Sequence, residues 1–253
     1  MTTPLIAARW SNWKHNATNE KTKMRAVFVM TTLLMGGASA SASAATAAAE
    51  NARMNEAARV VDASRSAPDN RIPDEIWRKA QCVAVIPGVK KGAFIVGGEY
   101  GSGVVSCRTA HRWGAPAFVT LKKASWGAQI GVESIDLVLL FMNQNGVDRL
   151  LADHVTLGTD ASIAAGPLGR NGGAATDARL TAEMLSYSHT KGVFVGVDLA
   201  GGVVLADDRA DEDLYGRNVT AREILLDGHV KTPAAARPLV AALNRTAADL
   251  AGR

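Results

Sequence analysis

The sequence is poor in the residues that usually announce chemistry. Aromatic residues occupy only 5% of its 253 positions, and there are two cysteines. Two cysteines without a neighbouring histidine offer no zinc-ligand spacing, so neither a metal nor a cofactor is expected. No G-x-S-x-G elbow marks a nucleophilic serine. The glycines of Gly98–Gly103 lack both the G-K-[S/T] ending of a phosphate loop and a dinucleotide fingerprint. Ala26–Met35 is apolar but far too short to span a bilayer as a helix. The formal charge is +4, yet it is carried by the beginning of the chain. Residues 1–44 hold Arg9, Lys14, Lys21, Lys23 and Arg25 against Glu20, which leaves 23 bases and 23 acids in the remainder. Without a basic field there, no nucleic-acid partner is expected.

What is present begins with an export pattern. Lys21, Lys23 and Arg25 form a positive region, Ala26–Met35 an apolar one, and GGASASASAATAAA a small-residue tract with A-x-A sites ending at Ala40, Ala42 or Ala44. Residues 1–44 are therefore read as an upstream extension plus signal peptide, with Met1 or Met24 as its start. The mature chain would be exported, periplasmic or envelope-associated, and without a membrane-spanning helix. In an oxidising compartment Cys82 and Cys107 are either a disulfide or two buried thiols. A bridge closing that loop would contribute roughly 3 kcal/mol in the chain-entropy model.

The organising stretch is Ile86–Arg108, IPGVKKGAFIVGGEYGSGVVSCR. Pro87-Gly88 and Lys90-Lys91-Gly92 read as turn residues at its entry. The expectation is a hairpin: two apolar runs, Ala93–Val96 and Val104–Val105, joined by a turn containing Gly97, Gly98, Gly101 and Gly103. Lys191–Val204, KGVFVGVDLAGGVV, echoes it and predicts a second related hairpin. Around these, Cys82–Ile86, Ala117–Lys122, Trp126–Val132 and Asp136–Met142 read as strands, with Asn145-Gly146 as a turn before a short helical stretch. Met54, Ala58 and Val61 share one face of an N-terminal helix. Pro73-Asp74-Glu75 opens a short helix ending in Arg78 and Lys79. Thr220 and Glu223 make a capping box, and Pro238–Leu250 is a final helix with Leu239, Leu243 and Leu250 on one face. The fold class is α+β, a mainly antiparallel β core flanked by N- and C-terminal helices.

Taken in order, Ile72-Pro73, CVAVIP, KKGAFIVGGEYGSGVV, DLVLLFMN, LGTDASIAAGPLGR and KGVFVGVDLAGG resemble SYLF domains. The resemblance covers roughly Ala45–Asp227 and implies a domain at 45–227, followed by a C-terminal helix at 228–253. It implies lipid binding, with phosphoinositides in animal members and also actin in fungal ones; many bacterial members look exported and envelope-associated. The export pattern argues against both actin and phosphoinositides here. The expectation is an exported module that associates with anionic phospholipid in the bacterial cell envelope. Its candidate lipid-binding cations are Lys90, Lys91, Lys122, Lys123, Arg108 and Arg170, with Trp77, Trp113 or Trp126 as an apolar component. Two alternatives stand beside it: a non-catalytic scaffold for an envelope protein, and an unrecognised hydrolase built around His154, Asp160 and Ser162. No enzyme activity is expected.

Overall fold

A computed structural model describes residues 36–67, 71–93, 96–109, 112–126, 131–152, 154–168, 181–190, 193–216 and 219–251. The chain divides into two compact units, 1–48 and 49–253, so the export pattern lies largely outside the described residues. The small-residue tract is helical, forming the beginning of helix α1, Gly36–Ser66. Met54, Ala57 and Val61 of α1 are fully buried, as their spacing on one helical face requires. Helix α2, Asp74–Lys79, starts on Pro73 and carries acids in its first turn and bases in its last, the arrangement that suits the helix dipole.

The described strands form one sheet of ten. Strands β1 (Cys82–Ala93), β2 (Val96–Thr109), β3 (Arg112–Trp113), β4 (Ala117–Trp126) and β5 (Gly131–Phe141) come first. Apart from the short β3, their spatial order is β4-β2-β1-β5, so the last strand returns beside the first as in a Greek key. After helix α3 (Gln144–Leu150) come β6 (His154–Thr156), β7 (Ile163–Ala165), β8 (Met184–Thr190), β9 (Val193–Gly196) and β10 (Gly202–Ala206). Strand β10 extends the sheet beside β4, with β6 beyond it, and β8 extends it beside β5. Among the described strands only β7 runs parallel to its neighbour, β8.

Both faces of the sheet are apolar. One face packs Val83, Val85, Val104, Phe118, Val138 and Leu140 against α1 and the C-terminal helix. The other gathers Ala84, Ile86, Val105, Leu121, Leu137 and Leu139. Strands covered twice lose polar alternation, which is why DLVLLF reads as an unbroken apolar run. Helices α4 (Asp208–Tyr215), α5 (Ala221–Leu225) and α6 (Arg237–Ala251) complete the chain. The Thr220–Glu223 capping box is present in full, and Leu239 and Leu243 of α6 are buried.

Five local expectations are corrected. Gly97, Gly98, Gly101 and Gly103 are inside β2 rather than in a turn. Gly101 and Gly103 are glycines because β1 comes so close: a Cβ on Gly103 would be 2.4 Å from the Val85 carbonyl oxygen, and one on Gly101 would be 2.6 Å from a Val89 methyl. Pro87-Gly88 is likewise no turn but a bulge within β1, where pairing shifts against both neighbours and Gly88 has φ 60°. The second hairpin is not formed, since β9 pairs with β8 and β10 pairs with β4 and β6. Trp126–Val132 contains the end of β4 and the start of β5 rather than a strand of its own. Asn145-Gly146 falls inside α3, whose cap is Asn143, accepting the Gly146 N–H.

The link from Gly196 to Gly202 explains the shape of the sheet. Strand β9 lies beyond β8 and β10 lies beyond β4; laid flat, about six strand spacings of ~4.8 Å would separate them, close to 29 Å. Six residues reach at most about 22 Å. The sheet therefore curls.

Candidate functional site

Register decides which of the candidate cations face the same way. Lys90 on β1 is opposite Tyr100 on β2, and Tyr100 is opposite Lys122 on β4. Ser134 on β5 and Val203 on β10 extend that row at either end. Residues paired across strands point to one face, here the face whose other half is packed beneath α1 and α6. Beyond the helices its described residues are open: Lys90, Lys122 and Ser134 are exposed, and Tyr100 is 53% exposed. Two strand spacings put the lysine Cα atoms about 10 Å apart with the phenol between them. Neither lysine's ammonium makes an ion pair or hydrogen bond with another described residue. Gly98 and Ala124 are paired with each other in the next row and keep the surface low around the ring.

Lys91 and Lys123 point to the opposite face. Lys91 is opposite Glu99, which is opposite Lys123; Lys91 Nζ lies 3.6 Å from Glu99, and Lys123 Nζ donates to the Asp198 carbonyl at 3.2 Å. The two doublets thus give each face of the sheet one lysine from each. Arg108 is eight residues along β2 from Tyr100, about 27 Å away. Its Nη2 donates to the Trp77 carbonyl at 2.8 Å, and its guanidinium lies 4.6 Å from the Trp113 ring centre. Trp77 and Trp113 are buried and meet edge to face at 6.5 Å, so both are core residues. Arg170 and the Trp126 side chain lie outside the described residues. Cys82 and Cys107 form a disulfide directly across β1 and β2.

Two of the residues considered for hydrolysis, Asp160 and Ser162, have other partners. Asp160 Oδ2 accepts the Thr156 N–H at 2.8 Å, and that hydrogen bond holds its carboxyl below the usual range. Ser162 and Glu183 exchange hydrogen bonds: Ser162 N–H donates to Glu183 Oε2, and Glu183 N–H donates to Ser162 Oγ. His189 has its Nδ1 3.1 Å from Asp136 and stacks on Phe194, while the other Asp136 oxygen accepts the Gly88 N–H at 2.9 Å. That dyad pins the β1 bulge. Among the described residues no cluster of three His, Cys, Asp or Glu side chains could hold a metal ion.

Sequence reading missed Tyr100, because an isolated tyrosine between glycines acquires meaning only once its cross-strand neighbours are known. It also missed Asp211 of α4. This carboxyl is fully buried; Oδ1 accepts the Phe118 N–H at 2.9 Å, and Oδ2 has no partner. Burial, reinforced by the charges of Asp207, Asp208 and Glu50, pushes its pKa up to about 8. Glu50, also buried, is raised for the same leading reason. Arg53 supplies the nearby positive charge, 3.9 Å from Asp207 and over the Phe118 ring.

Comparison with known proteins gives this architecture a family. Residues 122–246 match the family described as "Ysc84: Las17-binding protein actin regulator". The chain is 35% identical over 184 residues to Protein YSC84 of Saccharomyces cerevisiae, covering 71% of this chain and 39% of that protein. It is 34% identical over 183 residues to LAS seventeen-binding protein 3 of the same yeast, covering 71% and 39%. With SH3 domain-containing YSC84-like protein 1 of Mus musculus it shares 33% over 183 residues, covering 72% and 53%. The chain thus spans between about two fifths and half the length of these relatives. Their alignments are longer than the family match, so the similarity extends beyond it. The chain belongs to the Ysc84, or SYLF, family.

Proposed function

We propose that this chain is a non-catalytic module that docks on anionic phospholipid through the Lys90–Tyr100–Lys122 row. The observation that carries the reading is that row itself: two lysines without partners among the described residues, flanking an exposed phenol on a bare sheet face. Tyrosine suits the headgroup level of a membrane, with its ring among acyl carbons and its hydroxyl in water. Each lysine near an anionic surface contributes about 1 kcal/mol, so the pair accounts for roughly a 30-fold change in affinity. No helix among the described residues is long and apolar enough to cross a membrane, so contact would be with the surface. The export pattern and the Cys82–Cys107 disulfide support an oxidising compartment, and with it the bacterial envelope as the setting.

Flotation of the full chain with phosphatidylglycerol-containing vesicles tests this. Binding should fall with salt, since such attraction is screened over about 10 Å at ~0.1 M. It should weaken roughly 30-fold in the Lys90→Gln/Lys122→Gln variant and stay unchanged in Lys91→Gln/Lys123→Gln. Equal affinity of the first variant and the wild type would remove the row from the mechanism.

A second reading is a scaffold for a protein partner. Strand β9 pairs only with β8 among the described strands and leaves Val193 and Val195 exposed, an edge to which another strand could add. The relatives named for Las17 binding favour this class of role. Crosslinking to an envelope protein through β9, with no flotation at any lipid composition, would select it over the lipid reading.

A further inference from the structure

At the other end of β2 the chain encloses a second basic site. A cleft of about 380 Å³ opens between the C-terminal turn of α2 and the strand ends that carry the disulfide. Arg78, Lys79 and Arg108 line it together with Gln81 and Gln144, whose amide nitrogen donates to Asp148, and none of the described lining residues is acidic. We propose that this cleft binds a compact phosphate-bearing ligand.

Arg108 is the centre of the argument. Its guanidinium is fixed on two sides, by the Trp77 carbonyl and by the Trp113 ring. That anchoring occupies one Nη donor, whereas Nε is buried without any hydrogen-bond partner. A desolvated cation with an unsatisfied donor costs free energy, and negative charge in the cleft beside it would offset that cost electrostatically. Burial also lowers the Arg108 pKa from its ordinary value, the sign of a cation awaiting compensation. Arginine at a helix C-terminus often serves only to cap the last carbonyls; capping here explains the Trp77 contact but neither the idle Nε nor the cations beside it. Arg78 makes no ion pair or hydrogen bond with another described residue. Lys79 shares its ammonium with the exposed Glu75 at 2.6 Å, a pair easily redirected because both groups are in water.

The chemistry of the lining selects the ligand class. A fixed guanidinium fork and two mobile cations match the several oxygens of a phosphate, and the two amides can bond a hydroxylated substituent. The volume lies at the small end of ligand pockets, room for a phosphate with a glycerol-sized group. Lining by the disulfide and by Arg108 of β2 makes the site part of the rigid half of the sheet, about 27 Å from Tyr100.

Equilibrium dialysis of the full chain against radiolabelled inorganic phosphate provides the test. Saturable binding of one phosphate per chain is expected, weakened tenfold or more in Arg108→Gln and in Arg78→Gln/Lys79→Gln. The second variant decides the matter, because both side chains are exposed and the Trp77–Trp113 core stays intact. Lys90→Gln/Lys122→Gln should bind phosphate as the wild type does, so this site and the proposed membrane face can fail independently. Competition identifies the source. Displacement by phosphatidylglycerol vesicles would place the phosphate on a lipid, and displacement by glycerol 3-phosphate alone would place it on a free solute; either supports the site. Absence of saturable binding, or unchanged affinity in a folded Arg78→Gln/Lys79→Gln variant, overturns it.

Discussion

Strand β2 has two halves built on opposite plans. From Val104 to Cys107 every side chain is buried, with helices on one face, the second apolar cluster on the other and a disulfide to β1. From Gly98 to Ser102 the same strand is mostly glycine and small residues, and one face is bare apart from Tyr100 and its flanking lysines. Alternation along the strand is unbroken, so the difference comes from what covers it. The helices reach only part of the sheet. The covered half fixes geometry, and the uncovered half is left to meet something else.

The largest effect should come from breaking the close approach of β1 and β2. Gly103→Ala places a methyl against the Val85 carbonyl, which belongs to a paired strand and has nowhere to move. A loss of about 3 kcal/mol or more is expected in urea unfolding. Gly98→Ala is the contrast: its Cβ would lie 3.5 Å from the Lys123 carbonyl oxygen, an ordinary contact, so its effect should stay below about 1 kcal/mol. Similar losses at both positions would erase the distinction between the halves.

The disulfide comes next. Cys82→Ser/Cys107→Ser should lower stability by about 3 kcal/mol on the loop-entropy account for a separation of 25 residues. Flotation on anionic vesicles, which the proposed function assigns to the other half, should survive at temperatures where the variant is folded.

Asp211 sharpens the comparison through pH. It binds the amide of Phe118, the residue paired with Val104, and so belongs to the covered half. With a folded pKa of about 8 against an ordinary 3.8, the folded state holds a proton that the unfolded state has lost. Its contribution is fully present below the unfolded pKa and is lost as pH rises toward 8, at no more than about 1.4 kcal/mol per pH unit. Between pH 6 and pH 8 the wild type should therefore lose about 2 kcal/mol from this group. Asp211→Asn keeps an acceptor for Phe118 and cannot ionise, so its urea midpoint should be flatter with pH. Identical slopes would mean that the carboxyl is already charged.

The local signals were legible where one segment was enough to set the outcome. The Thr220–Glu223 box, the Met54–Val61 face and the burial of Leu239 and Leu243 depend on helical periodicity alone. The antiparallel α+β class also followed from the apolar runs and their punctuation. The glycines of β2 did not read correctly, because whether a glycine turns the chain or admits a neighbour depends on the strand opposite. Here that strand carries a bulge at Gly88. The lysine doublets show the same limit: adjacent residues on a strand face opposite ways, and only register brings Lys90 together with Lys122 from a strand some thirty residues later. Asp211 gave no sequence signal, since an acid in the first turn of a helix is normally in water.

The short link between β9 and β10 gives the molecule a seam. It joins strands at distant positions of the sheet, while the Greek key of β1, β2, β4 and β5 holds together through hydrogen bonds that do not involve it. Parting the chain near Leu199–Gly201 would let the curl relax and leave those four strands paired. Such an opening exposes less apolar surface than global unfolding and so lies lower in free energy. It also makes this join a late step in folding, because β4 and β8, the strands that receive its two ends, are themselves separated by about sixty residues and must find their places first.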